Sequence, residues 1–310
     1  MSDKLSRRDL LTAALGTVAA FVIGGCSSTK GGSQPESSAG RRPKTTGPGK
    51  LAVGSEKDAG KSVRAAVAAL GGMSAFVKKG DFVVIKPNAA WGREPDMAAT
   101  THPDVLLAVS ELCKEAGAGD ILVIDHLIDQ PSEMVLALTG LKKTADKAGV
   151  RIVAAQNQSM YRKIDIPDGK LLKSDEVLKD VLKADVFINL PKAKTHGETK
   201  LTLGLKNLMG VMWNRQAWHS NGLHQSIADF ATAVRPDLTI LDATRILLTN
   251  GPKGPGETKD VGQVIAGTDL VAVDAYGATL FGMKPEDIEH IRLAHEAKLG
   301  EIDFARLMVK

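Results

Sequence analysis

From Asp81 onward the chain alternates short runs of consecutive apolar residues with longer stretches in which apolar positions recur every three or four residues. That alternation predicts strand and helix units wound into a parallel sheet. Phe82-Val83-Val84-Ile85 is a continuous apolar run entered through Lys79-Gly80, which predicts a strand covered on both faces. Residues 104 to 115 then place Val105, Leu106, Val109, Leu112 and Cys113 at helical spacing, with Gly117 as the stop. Further strands are expected at Ile121-Leu122-Val123-Ile124, Ile152-Val153, Val186-Phe187-Ile188-Asn189, Leu238-Thr239-Ile240-Leu241 and Val264-Ile265-Ala266. Helices are expected over 132–147, 222–234, 270–280 and 285–297. The pattern predicts an α/β fold, a mainly parallel doubly wound sheet with helices on both faces, and allows a subdomain inserted at 195–237. No internal repeat is present.

The N-terminal fifty residues follow a different pattern. Ser6-Arg7-Arg8-Asp9 precedes an apolar run from Leu10 to Ile23, after which come Gly24, Gly25 and Cys26. The paired Arg7 and Arg8 resemble a twin-arginine export signal. The 14-residue apolar run falls short of the roughly 20 residues of a stable membrane span, so it reads as the core of a signal peptide over residues 1–25. Ile23-Gly24-Gly25-Cys26 resembles a bacterial lipobox, with Cys26 as the lipidated first residue of the mature chain. Residues 26–50 are rich in Ser, Gly, Pro and Thr, too polar to bury a core, and read as a flexible tether. The folded domain is therefore expected over 51–310. The expected location is the periplasmic or cell-surface face of a bacterial membrane, reached through the twin-arginine machinery and held by a lipid anchor.

Composition narrows the function classes. The 310 residues are 43% hydrophobic and 25% charged with a net charge of +4, ordinary for a globular protein. The basic residues form no stripe and aromatics make up only 4%, which argues against nucleic acid as partner. Two cysteines cannot hold a Cys-ligated iron–sulfur cluster, which needs about four thiolates, so none is expected. Cys113 sits on an apolar helix face and reads as core.

Ligands of open parallel sheets bind beyond the carboxyl ends of the strands. Polar residues stand at several of those ends: Lys86 and Asn88, Asp125 and His126, Lys192, Lys194 and His196, and Asp242. The segment from Lys192 to Trp218 adds Lys200, Lys206, Asn207 and Arg215. Lysines supply point charges for carboxylate or phosphate groups, and a histidine supplies acid/base chemistry near neutral pH. The expected partner is thus a small anionic molecule, with Lys86, Asn88, Lys192, Lys206, Asn207 and Asp274 as ligand-binding residues and His196, Lys194 and Asp125 as catalytic ones. A divalent metal is the rival, with His219 and His224 as candidate ligands, although their five-residue spacing does not stack them on one helical face. The two readings are therefore an enzyme acting on a small anion and a non-catalytic lipoprotein binding a metal or cofactor. Gly54 to Ser62 looks like a phosphate-binding loop, but five residues separate its glycines instead of four, so it reads as a turn and helix start.

Ile85-Lys86-Pro87-Asn88, Asn189-Leu190-Pro191-Lys192-Ala193-Lys194-Thr195-His196, Gly204-Leu205-Lys206-Asn207-Leu208-Met209-Gly210, Gly254-Pro255-Gly256 and Ala272-Val273-Asp274-Ala275 together resemble the bacterial and archaeal family known as domain of unknown function 362. The resemblance runs from about Leu51 to the end and carries no established reaction. It implies functional weight for Lys86, Asn88, Lys194, His196, Lys206, Asn207 and Asp274. Many relatives carry a ferredoxin-like module with clustered cysteines, which this chain lacks, so no electron-transfer role follows.

Overall fold

The computed structural model describes residues 39–43 and 48–309. The signal peptide with Arg7 and Arg8, the lipidation site Cys26 and most of the tether lie outside the described residues. In chain order the elements are β1 (Leu51–Gly54), α1 (Ala59–Ala69), β2 (Phe82–Pro87), α2 (Pro103–Glu115), β3 (Asp120–Asp125), α3 (Ser132–Leu138), α4 (Leu141–Ala148) and β4 (Arg151–Ala154). There follow β5 (Tyr161–Asp165), β6 (Ser174–Leu178), α5 (Lys179–Lys183), β7 (Val186–Leu190), β8 (Lys192–His196), β9 (Lys200–Thr202), α6 (Gly204–Asn207), α7 (Arg215–Asn221) and α8 (Leu223–Ala233). The chain closes with β10 (Leu238–Leu247), β11 (Thr258–Gly267), α9 (Leu270–Thr279) and α10 (Glu289–Glu296).

The fold is α/β. The main sheet has the order β1-β11-β10-β7-β2-β3-β4, with β8 and β9 attached beside β10. From β10 to β4 the pairings are parallel, while β1, β11 and β10 pair antiparallel. The period-two geometry of the strands divides their side chains between two cores. Val83 and Ile85 of β2 and Ile188 of β7 pack with Val63 and Val67 of α1 and Val105 and Val109 of α2. Val84 and Phe187 face the other side, with Ile227 and Phe230 of α8, Val271 of α9 and Ile291 of α10. Continuous apolar strands were needed because helices cover both faces.

Four expectations change. Segment 195–237 is no separate subdomain, because Leu201, Leu205, Trp218 and Phe230 join the core that also holds Val84 and Phe187. The helix expected over 132–147 is two, broken at Gly140, which takes φ 74°. The short apolar run at 264–266 is the end of a ten-residue antiparallel strand. Residues 39–43 and 48–50, read as tether, pack on the domain: Arg41 ion-pairs with Asp237 in a buried contact, and Lys50 N donates to Thr268 Oγ1. The phosphate-loop lookalike is, as expected, a strand end and a helix start, with Asp58 capping α1 through Lys61 N. Cys113 is fully buried, which pushes its thiol up to about 12.

Asp274 belongs to this scaffold. It is fully buried on α9, and its two carboxylate oxygens accept the backbone N–H groups of Gly204 at 2.6 Å and Leu205 at 2.8 Å. It caps α6 and does not line the crevice described below, which corrects its expected ligand-binding role. Asp274→Ala should lower unfolding stability in urea by about 1–3 kcal/mol for each orphaned N–H. An unchanged midpoint would contradict the capping role.

Candidate functional site

In the sheet, β2, β3 and β4 follow one another in one direction, while β7 and then β10 lie on the other side of β2. The order therefore reverses between β2 and β7, and a crevice opens beyond their carboxyl ends. The register sets Lys86 beside Asn189 and Pro87 beside Leu190. The last polar residues of two strands thereby meet. The crevice encloses about 330 Å³, in the range of small-molecule sites. Its lining includes Lys86, Asn88, Asp125, Lys194 and His196, which the sequence analysis singled out at separate strand ends, and Lys206 and Asn207 from the segment 192–218.

A hydrogen-bonded network holds the floor. Lys86 Nζ lies 2.8 Å from Asp125 Oδ1 in a pair buried to 1% and 3% exposure, and donates to Asn207 Oδ1 at 3.1 Å. Asn207 Oδ1 also accepts from Asn88 Nδ2 at 3.0 Å, while Asn207 Nδ2 donates to Asn189 Oδ1 at 2.8 Å. Asn88 Oδ1 accepts from Lys194 Nζ at 3.0 Å, and Lys194 also donates to the Ala99 carbonyl. Asp125 Oδ2 accepts from Ala89 N at 2.8 Å. Each buried amide side chain thus has partners for both its donor and its acceptor, which orders the floor in one arrangement.

The crevice is rich in positive charge. Arg215 donates to the carbonyls of Met209 and His126, and among the described residues Lys206 Nζ has only the Met209 thioether, at 3.0 Å. Among the described residues, Lys194, Lys206 and Arg215 make no ion pair with a carboxylate, and Asp125 is already engaged by Lys86. Burial lowers the proton affinity of Lys86, which Asp125 opposes and Arg215 adds to. Burial and the charge of Lys206 hold Lys194 well below the usual lysine range. Lys206 is lowered to about 8, by burial first and then by Arg215.

His196 departs from its expected role. Burial, then Lys206 and Lys194, lower it to about 3, and its Nδ1 accepts from the backbone N–H groups of Glu198 and Thr199. The ring is therefore neutral at physiological pH with its proton on Nε2, a hydrogen-bond donor and not a proton carrier near pH 7. Lys192 is also corrected. It is fully buried, 2.9 Å from Asp242, and does not line the crevice. Burial opposes the Asp242 charge, but Lys192, the Thr244 hydroxyl and the His102 N–H together hold its carboxyl below the usual range.

The candidate metal ligands part company. His219 lines the crevice with Nδ1 at 2.8 Å from Glu198, whereas His224 Nδ1 sits 3.4 Å from that of the buried His290. Among the described residues no group of three or more His, Cys, Asp or Glu is placed to hold a metal ion. Sequence reasoning missed Trp91, Ile128, Glu198 and Met209 as lining residues. Arg215 stood in the basic segment 192–218 but carried no role, because nothing local shows that it folds back over Met209.

Gly210 brings the chain against the ion pair. A Cβ there would lie 2.0 Å from Asp125 Oδ1 and 2.3 Å from Lys86 Cε. Gly210→Ala should force the pair apart and cost about 1–3 kcal/mol, as overpacking does. The matching Gly197→Ala, where a Cβ meets nothing within 4 Å, should cost far less. Equal losses by thermal unfolding would contradict the close approach.

Comparison with known proteins accords with these features. A model of the family described as domain of unknown function 362 matches residues 83–279. The thylakoid-associated protein of Synechocystis sp. is 30% identical over 258 residues, covering 77% of this chain and 74% of that protein. Among solved structures, the lactate racemase apoprotein of Thermoanaerobacterium thermosaccharolyticum aligns with a TM-score of 0.43 at 12% identity, over 67% of this chain and 54% of its own. A Thermotoga maritima protein aligns at 0.42 and 10% identity, over 77% of this chain and 57% of its own. The chain thus spans little more than half the length of these two structures. The strand-end lysines and asparagines, the crevice they line and the match across residues 83–279 lead to one conclusion: this chain belongs to the domain of unknown function 362 family.

Proposed function

We propose that the crevice binds a small carboxylate or phosphate and carries out acid/base or transfer chemistry on it. The observation that supports this reading is the charge imbalance: Lys194, Lys206 and Arg215 share the lining with no carboxylate in ion-pair contact among the described residues. Cations withdrawn from water need a counter-charge. A bound anion supplies it, with Lys206 and Arg215 as the direct contacts, Asn88 and Asn207 ordering the floor, and His196 Nε2–H as a neutral donor. Lys206, poised near pH 8, is the group suited to give or take a proton. Lys86 and Asp125 hold each other and set the local field. The same proposal includes twin-arginine export and lipidation at Cys26, which would hold this chemistry at the periplasmic or cell-surface face of a bacterial membrane; the Arg7-Arg8 pair and the Ile23-Gly24-Gly25-Cys26 segment support it.

The pH dependence follows from Lys206. Its pKa lies below the ordinary 10.5, and a bound anion favours the protonated form. Affinity should therefore be full below about pH 8 and fall as pH rises through it. Calorimetric titration with propanoate and with inorganic phosphate should show binding at pH 7 that weakens by pH 9. Lys206→Met and Arg215→Met should each weaken it about tenfold to a hundredfold, the worth of one charge-assisted hydrogen bond. Absence of binding by both anions at pH 7, or affinity that rises with pH, would contradict the reading.

A further inference from the structure

We propose that Lys206 is a nucleophile that forms an imine with a small oxo carboxylate held in this crevice, an inference that rests on the anion-binding reading. The lysines of the lining are not equivalent. Lys86 is held by Asp125 and Asn207, and Lys194 by Asn88 and the Ala99 carbonyl, with both side chains 1% exposed or less. Lys206 is half-buried, and among the described residues its Nζ has only a thioether sulfur, a weak acceptor. Of the lining lysines, it alone has an amine both reachable and uncommitted.

Its backbone is fixed on both sides. Asp274 caps Gly204 and Leu205, and the Asn207 side chain is held by Asn88, Lys86 and Asn189. A nucleophile on so anchored a turn loses little freedom when it reacts. Lys206 and Arg215 both rest on Met209, one against its sulfur and the other against its carbonyl oxygen. An amine and a guanidinium at the two ends of one residue suit a molecule whose carbonyl and carboxylate are neighbours. Trp91, Ile128 and Pro252 complete the lining and favour an apolar remainder. The lowered proton affinity of Lys206 leaves much of the amine neutral at mildly alkaline pH, as in other lysines activated by burial and a nearby cation.

The step balances without an oxidant or reductant. The Nζ lone pair bonds to the carbonyl carbon and the π pair moves to oxygen. A proton passes from nitrogen to that oxygen, which takes a second proton from solvent and leaves as water. The resulting C=N bond forms already protonated, as an iminium, because the nitrogen keeps its second hydrogen, and its positive charge lies beside the carboxylate.

The test is reductive trapping on the full chain. Pyruvate or phenylpyruvate with cyanoborohydride at pH 8 should give one stoichiometric adduct by intact mass, which peptide mapping places on Lys206. It should form about tenfold or more faster than on lysines of the outer surface, since an ordinary lysine is less than about 1% neutral at that pH. Lys206→Met should lack it. No adduct, or adducts spread over surface lysines or placed on Lys194, would overturn the proposal. Mapping on the wild-type chain keeps the test decisive if the variant fails to fold. Propanoate and 3-phenylpropanoate have no ketone, so their binding reports the anion site alone. If they bind and trapping fails, only the imine falls; if neither they nor inorganic phosphate binds, the anion reading falls as well.

Discussion

The crevice between β2 and β7 depends on the ion pair of Lys86 with Asp125. These are two charges taken almost wholly out of water, and such a pair is costly unless its remaining donors and acceptors are met. Here they are met in a chain of contacts through Asn207, Asn88, Ala89 and Asn189. The network joins the ends of three parallel strands and the turn of α6. Gly210 is a glycine because nothing larger fits against the pair.

Around that pair the positive charges outnumber the negative. One lysine is neutralised by Asp125, and Glu198 is turned toward His219. Lys194, Lys206 and Arg215 then share the field of the crevice, where Lys206 lowers the proton affinity of Lys194 and Arg215 that of Lys206. This links fold to chemistry. Burial that would be unfavourable in a core is, on the proposed reading, what would favour an anion in an open crevice, and it brings Lys206 down to about 8. His196, drawn into the same field, becomes a neutral donor because its neighbours are cations.

Much of this was legible from the chain. Apolar runs marked the strands because both faces of the sheet are covered, and the polar residues ending those runs meet because parallel strands deliver their carboxyl ends to one rim. What failed depended on contacts distant in sequence. Lys192 and Lys194 look alike, yet β8 runs beside β10 with a shift in register: Lys192 stays opposite Asp242, while Lys194 reaches the crevice. Asp274 caps a turn seventy residues earlier. The direction of β11 is not encoded in its apolar pattern, and the pKa of His196 reflects lysines whose side chains converge only in the fold. Arg41 shows the same limit, since a polar segment docks through a buried ion pair with Asp237 and a backbone bridge to Val234, neither of which is visible in its composition.

The central claim is that an anion sits against Lys206 and Arg215 in the crevice between β2 and β7. Anomalous diffraction from crystals soaked in dilute bromide tests it most directly, because it locates the ion without assuming its chemistry. The account predicts a strong peak within hydrogen-bond reach of Lys206 Nζ and the Arg215 guanidinium, displaced when 3-phenylpropanoate is added. Bromide found only on the outer surface, with no peak in the crevice, would contradict it.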